Sequence, residues 1–225
     1  MDRINVLDKG WVELVDSMPA GRSGDAAIVE AARISFKGES KGPEKDKKLL
    51  FYLYKHKHMS PFEQVEMKFM VYMPVVAWWH ILRHRTLKPN LQSGRYTPFE
   101  ENDFYLPDVW RLQSADNKQG SAGQVDDETA KKINESLKEH CETSYKYYAE
   151  LLGMGIAKEQ ARIFLPAFSL YYKGIVSGNA RNFMNFFSQR MKSDAQFEIS
   201  EYAKAMFSIF KEVLPWTAEA FETIQ

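Results

Sequence analysis

The segment Arg83-His84-Arg85-Thr86-Leu87-Lys88-Pro89-Asn90-Leu91-Gln92-Ser93-Gly94-Arg95-Tyr96 packs four cations and a histidine into fourteen residues of a chain with no net charge. Guanidinium groups grip phosphate bidentately, and a turn such as Gln92-Ser93-Gly94 adds a hydroxyl and backbone N–H groups to the same anion. A nucleotide phosphate suits that set. The same residues also suit a solvated helix end, where cations offset the negative pole of the helix dipole. Ser93 has no general base within the segment, so it reads as a phosphate ligand and not as a nucleophile.

A second cluster runs from Ser177 to Arg190 and contains Asn179, Arg181, Asn182, Asn185 and Gln189. Asn179 can cap a helix on which the other amides follow near helical spacing. A row of amides can hydrogen-bond a heterocycle with mixed donors and acceptors, while Phe183, Phe186 and Phe187 bury the opposite face. Elsewhere the chemistry thins out. His56 and His58 lack companions at zinc-site spacing, so no metal is expected. Cys141 lies in a Lys- and Glu-rich helical stretch with no motif around it and reads as a spectator. Neither a GxGxxG nor a P-loop pattern is present, so a dinucleotide would have to be bound some other way.

A scaffold must hold these groups. The 225 residues are 44% hydrophobic and 27% charged, which fits one globular domain over residues 1–225. Thirty basic residues balance thirty acidic ones, which argues against a nucleic-acid or membrane-surface protein. One cysteine forbids an intramolecular disulfide framework, the first residues lack a signal-peptide core, and no apolar run approaches the ~20 residues that span a bilayer. A soluble cytoplasmic protein is expected.

Apolar runs at residues 4–7 and 11–15 about Asp8-Lys9-Gly10 predict a strand or hairpin. Ser23-Gly24-Asp25 starts a helix with Ile28, Ala31, Ala32 and Ser35 on one face, residues 38–46 read as a loop, and a helix runs from Lys47 to near Lys57, stopped by Ser60-Pro61. Val65, Met67, Phe69, Val71 and Met73 alternate with Glu66, Lys68, Met70 and Tyr72, giving a strand with one buried face. Pro74 restarts a helix through Leu82 that delivers Arg83-His84-Arg85 at its exit. Residues 113–128 read as a mobile surface connection, a long helix covers about 128–152, and further helices begin near Lys158, Asn179 and Ala195, with Pro166, Phe168, Tyr171 and Tyr172 separating two of them. The fold class is α+β: a single domain with a central, mostly antiparallel sheet flanked by helices and a helix-rich C-terminal half.

Arg83-His84-Arg85 followed by seven residues and Ser93 resembles the RHR-x7-S signature of the flavin-dependent thymidylate synthases. His58-Met59-Ser60-Pro61-Phe62-Glu63 resembles that family's H-x-[ST]-P-x-E element, Ala31-Ala32-Arg33-Ile34-Ser35-Phe36 its N-terminal helix, and Asn179-Ala180-Arg181 with Ala195-Gln196-Phe197-Glu198-Ile199 its C-terminal block. The resemblance implies a homotetramer with shared active sites, FAD as bound cofactor, NADPH as reductant and 5,10-methylenetetrahydrofolate as one-carbon donor in the conversion of dUMP to dTMP. It further implies that Ser60, Arg83, His84, Arg85, Asn179, Arg181 and Asn185 contact the flavin. His80, Arg83, Leu91, Gln92, Ser93, Gly94, Arg95, Arg162 and Arg190 would line the dUMP pocket. Arg190 would be the catalytic residue, stabilising ionised uracil N3 so that C5 becomes nucleophilic.

Several positions depart from the family pattern. Lys88 and Pro89 stand where smaller or polar residues are usual, Leu91 replaces a glutamate and His80 a glutamine. Leu91 offers no side-chain hydrogen bond, and Lys88 adds a charge able to take a further phosphate or carboxylate, such as a folate tail. Alongside thymidylate synthesis with tolerated drift stand the same flavin chemistry on UMP or ending in a hydroxymethyl product, because losing one polar partner can alter selectivity strongly. A non-catalytic nucleotide- or nucleic-acid-binding relative, stacking bases on Trp78, Trp79 and Tyr96, is the remaining alternative.

Overall fold

The computed structural model describes residues 3–21, 23–36, 39–118 and 120–224. β1 (Ile4–Val6) and β2 (Gly10–Met18) form the expected antiparallel hairpin. α1 (Gly24–Arg33) buries Ala27, Ile28 and Val29; Ser35 is exposed and lies beyond the helix in the 3-10 turn Ile34–Phe36. α2 (Pro43–Lys55) begins at Pro43 and not at Lys47, because proline is preorganised for the first helical position and Glu44 and Asp46 suit the positive end of the dipole. Of the loop expected over residues 38–46, Gly38 lies outside the described residues and residues 43–46 are helical.

The alternation in β3 (Glu66–Pro74) predicted its buried side: Val65, Met67, Phe69, Val71 and Met73 are all buried. α3 (Val75–Ile81) follows directly, and the turn after it carries Arg83, His84 and Arg85 toward β4 (Lys88–Leu91). The polar stretch expected to be a mobile connection instead contains a small hairpin, β5 (Arg111–Gln113) with β6 (Ser121–Gln124). Its tip is tied by the Gln113 amide, which donates to the carbonyls of Asn117, Lys118 and Gly120 at 2.9–3.3 Å. α4 (Asp127–Gly153) is capped by Asp126, whose carboxylate accepts from the Thr129 backbone N–H at 2.9 Å. The short α5 (Lys158–Ala161) leads through the 3-10 turn Arg162–Phe164 to a strand the sequence did not predict, β7 (Tyr171–Asn179). α6 (Ala180–Arg190), α7 (Phe197–Val213) and α8 (Pro215–Thr223) complete the chain.

The sheet order is β1-β2-β3-β7-β4, and every pairing in it is antiparallel. β7 therefore lies inside the sheet despite two glycines that weaken any strand reading. Gly174 is required by a neighbour: a Cβ there would stand 2.6 Å from Cη2 of Trp78, whose Nε1 donates to the Tyr172 carbonyl at 3.0 Å. Bare backbone on β7 thus seats α3, and with it the Arg-His-Arg turn. The main core joins the sheet to α1, α2, α3, α6, α7 and α8, while a smaller one gathers Phe99, Phe104, Cys141, Tyr148, Ala161, Leu165 and Leu170 beneath α4; Tyr172 packs on both. Cys141 is buried there and burial raises its thiol pKa, in keeping with a spectator. Asp25 of α1 accepts from the Trp216 and Thr217 backbone N–H groups at 2.8 and 3.1 Å and so caps α8 from the far end of the chain. Among the described residues no helix is long and apolar enough to cross a membrane.

Candidate active site

The turn after α3 folds on the hydrogen bonds from His84 N to the Ile81 carbonyl and from Leu87 N to the His84 carbonyl, both 2.9 Å. That geometry exposes Arg83 and Arg85 and turns His84 inward to 8% exposure, edge-on to Phe186 at 5.1 Å. Burial first, then the charges of Arg190 and His80, push the His84 pKa down to about 4. The ring is neutral at physiological pH, and its Nε2 accepts a hydrogen bond from Arg190 Nε at 3.0 Å. The ring proton therefore resides on Nδ1. Arg190 ends α6, and its terminal guanidinium nitrogens have no hydrogen-bond partner among the described residues. Burial and neighbouring Arg83 lower its pKa, so an anion placed there would be strongly welcomed.

α6 also binds two of the sequence motifs together. Asn179 caps it by accepting from Asn182 N at 3.0 Å, and the Asn182 amide donates to the Thr86 carbonyl at 3.1 Å, anchoring the Arg-rich turn. Arg181 pairs with Glu63 at 2.6 Å, and Ser60 shares the 3-10 turn Ser60–Gln64 with that glutamate. Both partners are substantially exposed, so the pair fixes position more than it adds stability. Arg85 and Asn185 stand in solvent, their side chains without a protein hydrogen bond among the described residues.

A second cradle lies around Ser93. Its Oγ accepts from Arg95 N at 3.3 Å and its carbonyl from Tyr96 N at 3.1 Å, closing a tight turn. Gly94 is buried within it, with the position a Cβ would take only 2.5 Å from Phe99 and 3.5 Å from an Arg162 guanidinium nitrogen. Burial raises the Tyr172 pKa against the lowering influence of the Arg162 charge, and Arg95 pairs with Glu159 at 2.9 Å. Ser93, Gly94, Arg95 and Arg162 thus converge. Gln92 differs from its sisters, since its Oε1 accepts from Lys173 N at 3.3 Å and its side chain is spent on the sheet edge. Leu91 packs against the main core, and Lys88 lies 3.6 Å from Glu66, which balances the charge that the sequence left open. Among the described residues no hydrogen bond or ion pair joins this cradle to the group of Arg83, His84 and Arg190.

His80 belongs to a chain of side chains that sequence reasoning missed. Its Nε2 meets Gln196 Oε1 at 2.7 Å, and the Gln196 amide donates to Glu198 Oε2 at 2.7 Å. Glu198 Oε1 accepts from Arg111 at 2.6 Å and from the Tyr105 hydroxyl at 3.3 Å. Glu198 is 5% exposed; burial raises its pKa, but the bonds from Arg111 and Gln196 outweigh that and hold it ionised. Arg111, Gln196 and Glu198 line a cavity of about 780 Å³ together with Trp110 and Phe168. The available signal was Glu198 itself, a charge on the apolar side of a helix that must find a partner. Among the described residues no group of three or more His, Cys, Asp or Glu could hold a metal ion.

Residues 13–216 match the model of a family described as thymidylate synthase complementing protein. The chain is 45% identical over 217 residues to a flavin-dependent thymidylate synthase of Thermosipho africanus, with 96% of this chain and 92% of that one covered. Among solved structures it is similar to the UMP/dUMP methylase PolB from Streptomyces cacaoi, at 32% identity. The form bound with 5-Br dUMP gives a TM-score of 0.86 with 98% of both chains covered, and the form bound with 5-Br UMP gives 0.85 with 98% and 97% covered.

Proposed function

This chain belongs to the family of flavin-dependent thymidylate synthases, and from that premise we propose that it methylates dUMP at C5 to give dTMP and tetrahydrofolate. The one-carbon unit comes from 5,10-methylenetetrahydrofolate and the reducing power from NADPH through FAD. The whole of residues 1–225 acts as one catalytic domain in a cytoplasmic homotetramer. The observation that carries the reading is Arg190, a cation whose Nε is held by a neutral imidazole and whose terminal nitrogens are left for a ligand.

The residues present fit a flavin. Arg83 and Arg85 reach solvent beside the turn, as a pyrophosphate requires, and Asn185 keeps an amide free for a heterocycle edge. Ser60 would join them, with His84 supplying Nδ1–H. Arg181 and Asn179 are engaged by Glu63 and by the α6 terminus, so they would share those bonds with the cofactor. When bound, reduced FAD supplies the hydride that turns the transferred methylene into methyl.

The protein's own part is electrostatic. Arg190 favours loss of the uracil N3 proton to solvent, and the charge so created raises electron density at C5, which attacks the folate methylene as one of its two C–N bonds opens. C5 then loses its proton as the second C–N bond breaks to release tetrahydrofolate, leaving an exocyclic methylene for reduction to methyl. Ser93, Gly94 N–H, Arg95 and Arg162 hold the phosphate of the nucleotide, with His80 and Arg83 completing the pocket. Because no hydrogen bond or ion pair among the described residues joins the two groups of cations, we infer that assembly of the tetramer brings the cradle of one subunit to Arg190 of another.

A second reading adds UMP as a substrate. It is favoured by the likeness to an enzyme described as a UMP/dUMP methylase and by Leu91, which offers no polar atom to the nucleotide. The test is an anaerobic reaction with FAD, NADPH and 5,10-methylenetetrahydrofolate, offering dUMP and UMP together and weighing the products. A methyl gain on dUMP alone supports thymidylate synthesis, methylated UMP supports the second reading, and no methylated product sinks both.

A further inference from the structure

The hydrogen-bond chain from Arg111 to His80 has only one consistent assignment of protons. Ionised Glu198 can only accept, so the Gln196 side chain must turn its NH2 toward it and its carbonyl oxygen toward His80. That oxygen in turn can only accept, so His80 Nε2 must carry a proton. In the neutral ring Nδ1 is then an acceptor. Arg111 and Tyr105 keep the carboxylate in place from the other side, at 2.6 and 3.3 Å. His80 lies in the last turn of α3, and its carbonyl accepts from Arg83 N at 3.3 Å, which places the end of the chain at the entry to the turn that carries Arg83 and His84.

We propose that Glu198 and Arg111 are positioning residues that fix the tautomer of His80, so that its Nδ1 accepts a hydrogen bond from a sugar hydroxyl of the bound nucleotide. An acceptor nitrogen cannot hydrogen-bond a phosphate dianion, whereas a hydroxyl donates to it readily. The ligand part of this inference rests on the nucleotide reading above; the tautomer part does not.

The first measurement is ¹⁵N NMR of the histidine rings in the purified protein without nucleotide at mildly alkaline pH, with His80 assigned by its loss in His80→Gln. A single tautomer protonated at Nε2 is expected, and a proton on Nδ1 overturns the proposal whatever the enzyme does. Glu198→Gln should replace that single form by a mixture. Gln196→Met, which keeps the helix and the side-chain volume, should do the same should Glu198→Gln not fold, and an unchanged tautomer in the folded variant overturns the relay.

The second measurement compares binding of dUMP with its 2′,3′-dideoxy analogue. Wild type should prefer dUMP about tenfold, the worth of one hydrogen bond of ~1.4 kcal/mol. His80→Gln should keep the preference and His80→Phe should lose it. Equal binding by wild type, or a preference that survives in His80→Phe, overturns the hydroxyl contact. Absence of any nucleotide binding would instead remove the functional reading, and the hydroxyl contact with it, while the NMR result stood.

Discussion

Arg190 donates its Nε proton to Nε2 of His84 across 3.0 Å, although the two residues lie about a hundred positions apart in the sequence. A cation thereby uses a neutral imidazole as its support. Protonating that imidazole would remove the acceptor and set two positive charges face to face.

The His84 pKa of about 4 lies below the ordinary value near 6.5, so the unfolded chain takes up this proton before the native one does. Stability is fully present above pH ~6.5 and is lost as the pH falls toward 4. Thermal unfolding followed across that range should show a steep acid limb, shallower in His84→Gln, which accepts without titrating. An equally steep limb in the variant would place the titrating group elsewhere.

Arg190→Ala should lower kcat by about 10²–10³, the usual effect of deleting one group that stabilises developing negative charge. Flavin absorbance of the purified variant should be retained. Arg190→Lys should restore little, because an ammonium cannot both bond His84 and present a planar pair of donors. Loss of flavin would show that Arg190 holds the cofactor instead.

In the second cradle, Arg162→Ala should raise the dissociation constant for nucleotide while leaving the fold intact. Gly94→Ala should do both kinds of damage: its methyl would overlap the Phe99 ring, an overpacking cost of about 1–3 kcal/mol, and the shift that relieves the overlap would displace the Ser93 turn. Isothermal titration with dUMP and thermal melts separate the two effects, and unchanged affinity in both variants would remove this turn from the phosphate site.

Asp25→Ala leaves the Trp216 and Thr217 N–H groups without their acceptor, at a cost of about 1–3 kcal/mol. Burial is the largest influence on Asp25 and raises its pKa, so its charged form is a burden that grows as pH rises through the folded pKa. Asp25→Asn keeps an acceptor and sheds that burden, and should therefore melt well above Asp25→Ala at neutral pH. Equal melting temperatures would mean that solvent, and not Asp25, satisfies the α8 terminus.

Legibility followed locality. β3 announced itself because its apolar residues alternate, and α4 because its long helical pattern closes at Gly153. β7 was hidden because Gly174 answers to Trp78, a residue about a hundred positions earlier, and α8 because its cap is Asp25. Apart from Arg111, which reaches Glu198, the β5–β6 hairpin has its side chains in solvent and lacks the alternation that marks a half-buried strand. The motifs and the resemblance named Ser93, Gly94 and Arg162, and the structure brings an Arg162 guanidinium nitrogen beside the Ser93–Gly94 turn. What they could not tell was the division of labour: His84 supports Arg190, Gln92 is spent on the sheet, and Lys88 answers Glu66.

β3 pairs with β7 along its whole length, yet about a hundred residues separate them in the chain. During synthesis β3 can dock on β2 at once, but its other edge stays open until β7 leaves the ribosome. For that interval the nascent chain displays an unpaired strand rich in methionine, valine and phenylalanine, the kind of edge that recruits other chains. Because α6 and Arg190 follow β7 directly, the step that closes the edge also delivers the cation to His84, so a chain interrupted before residue 171 is both inert and prone to aggregate.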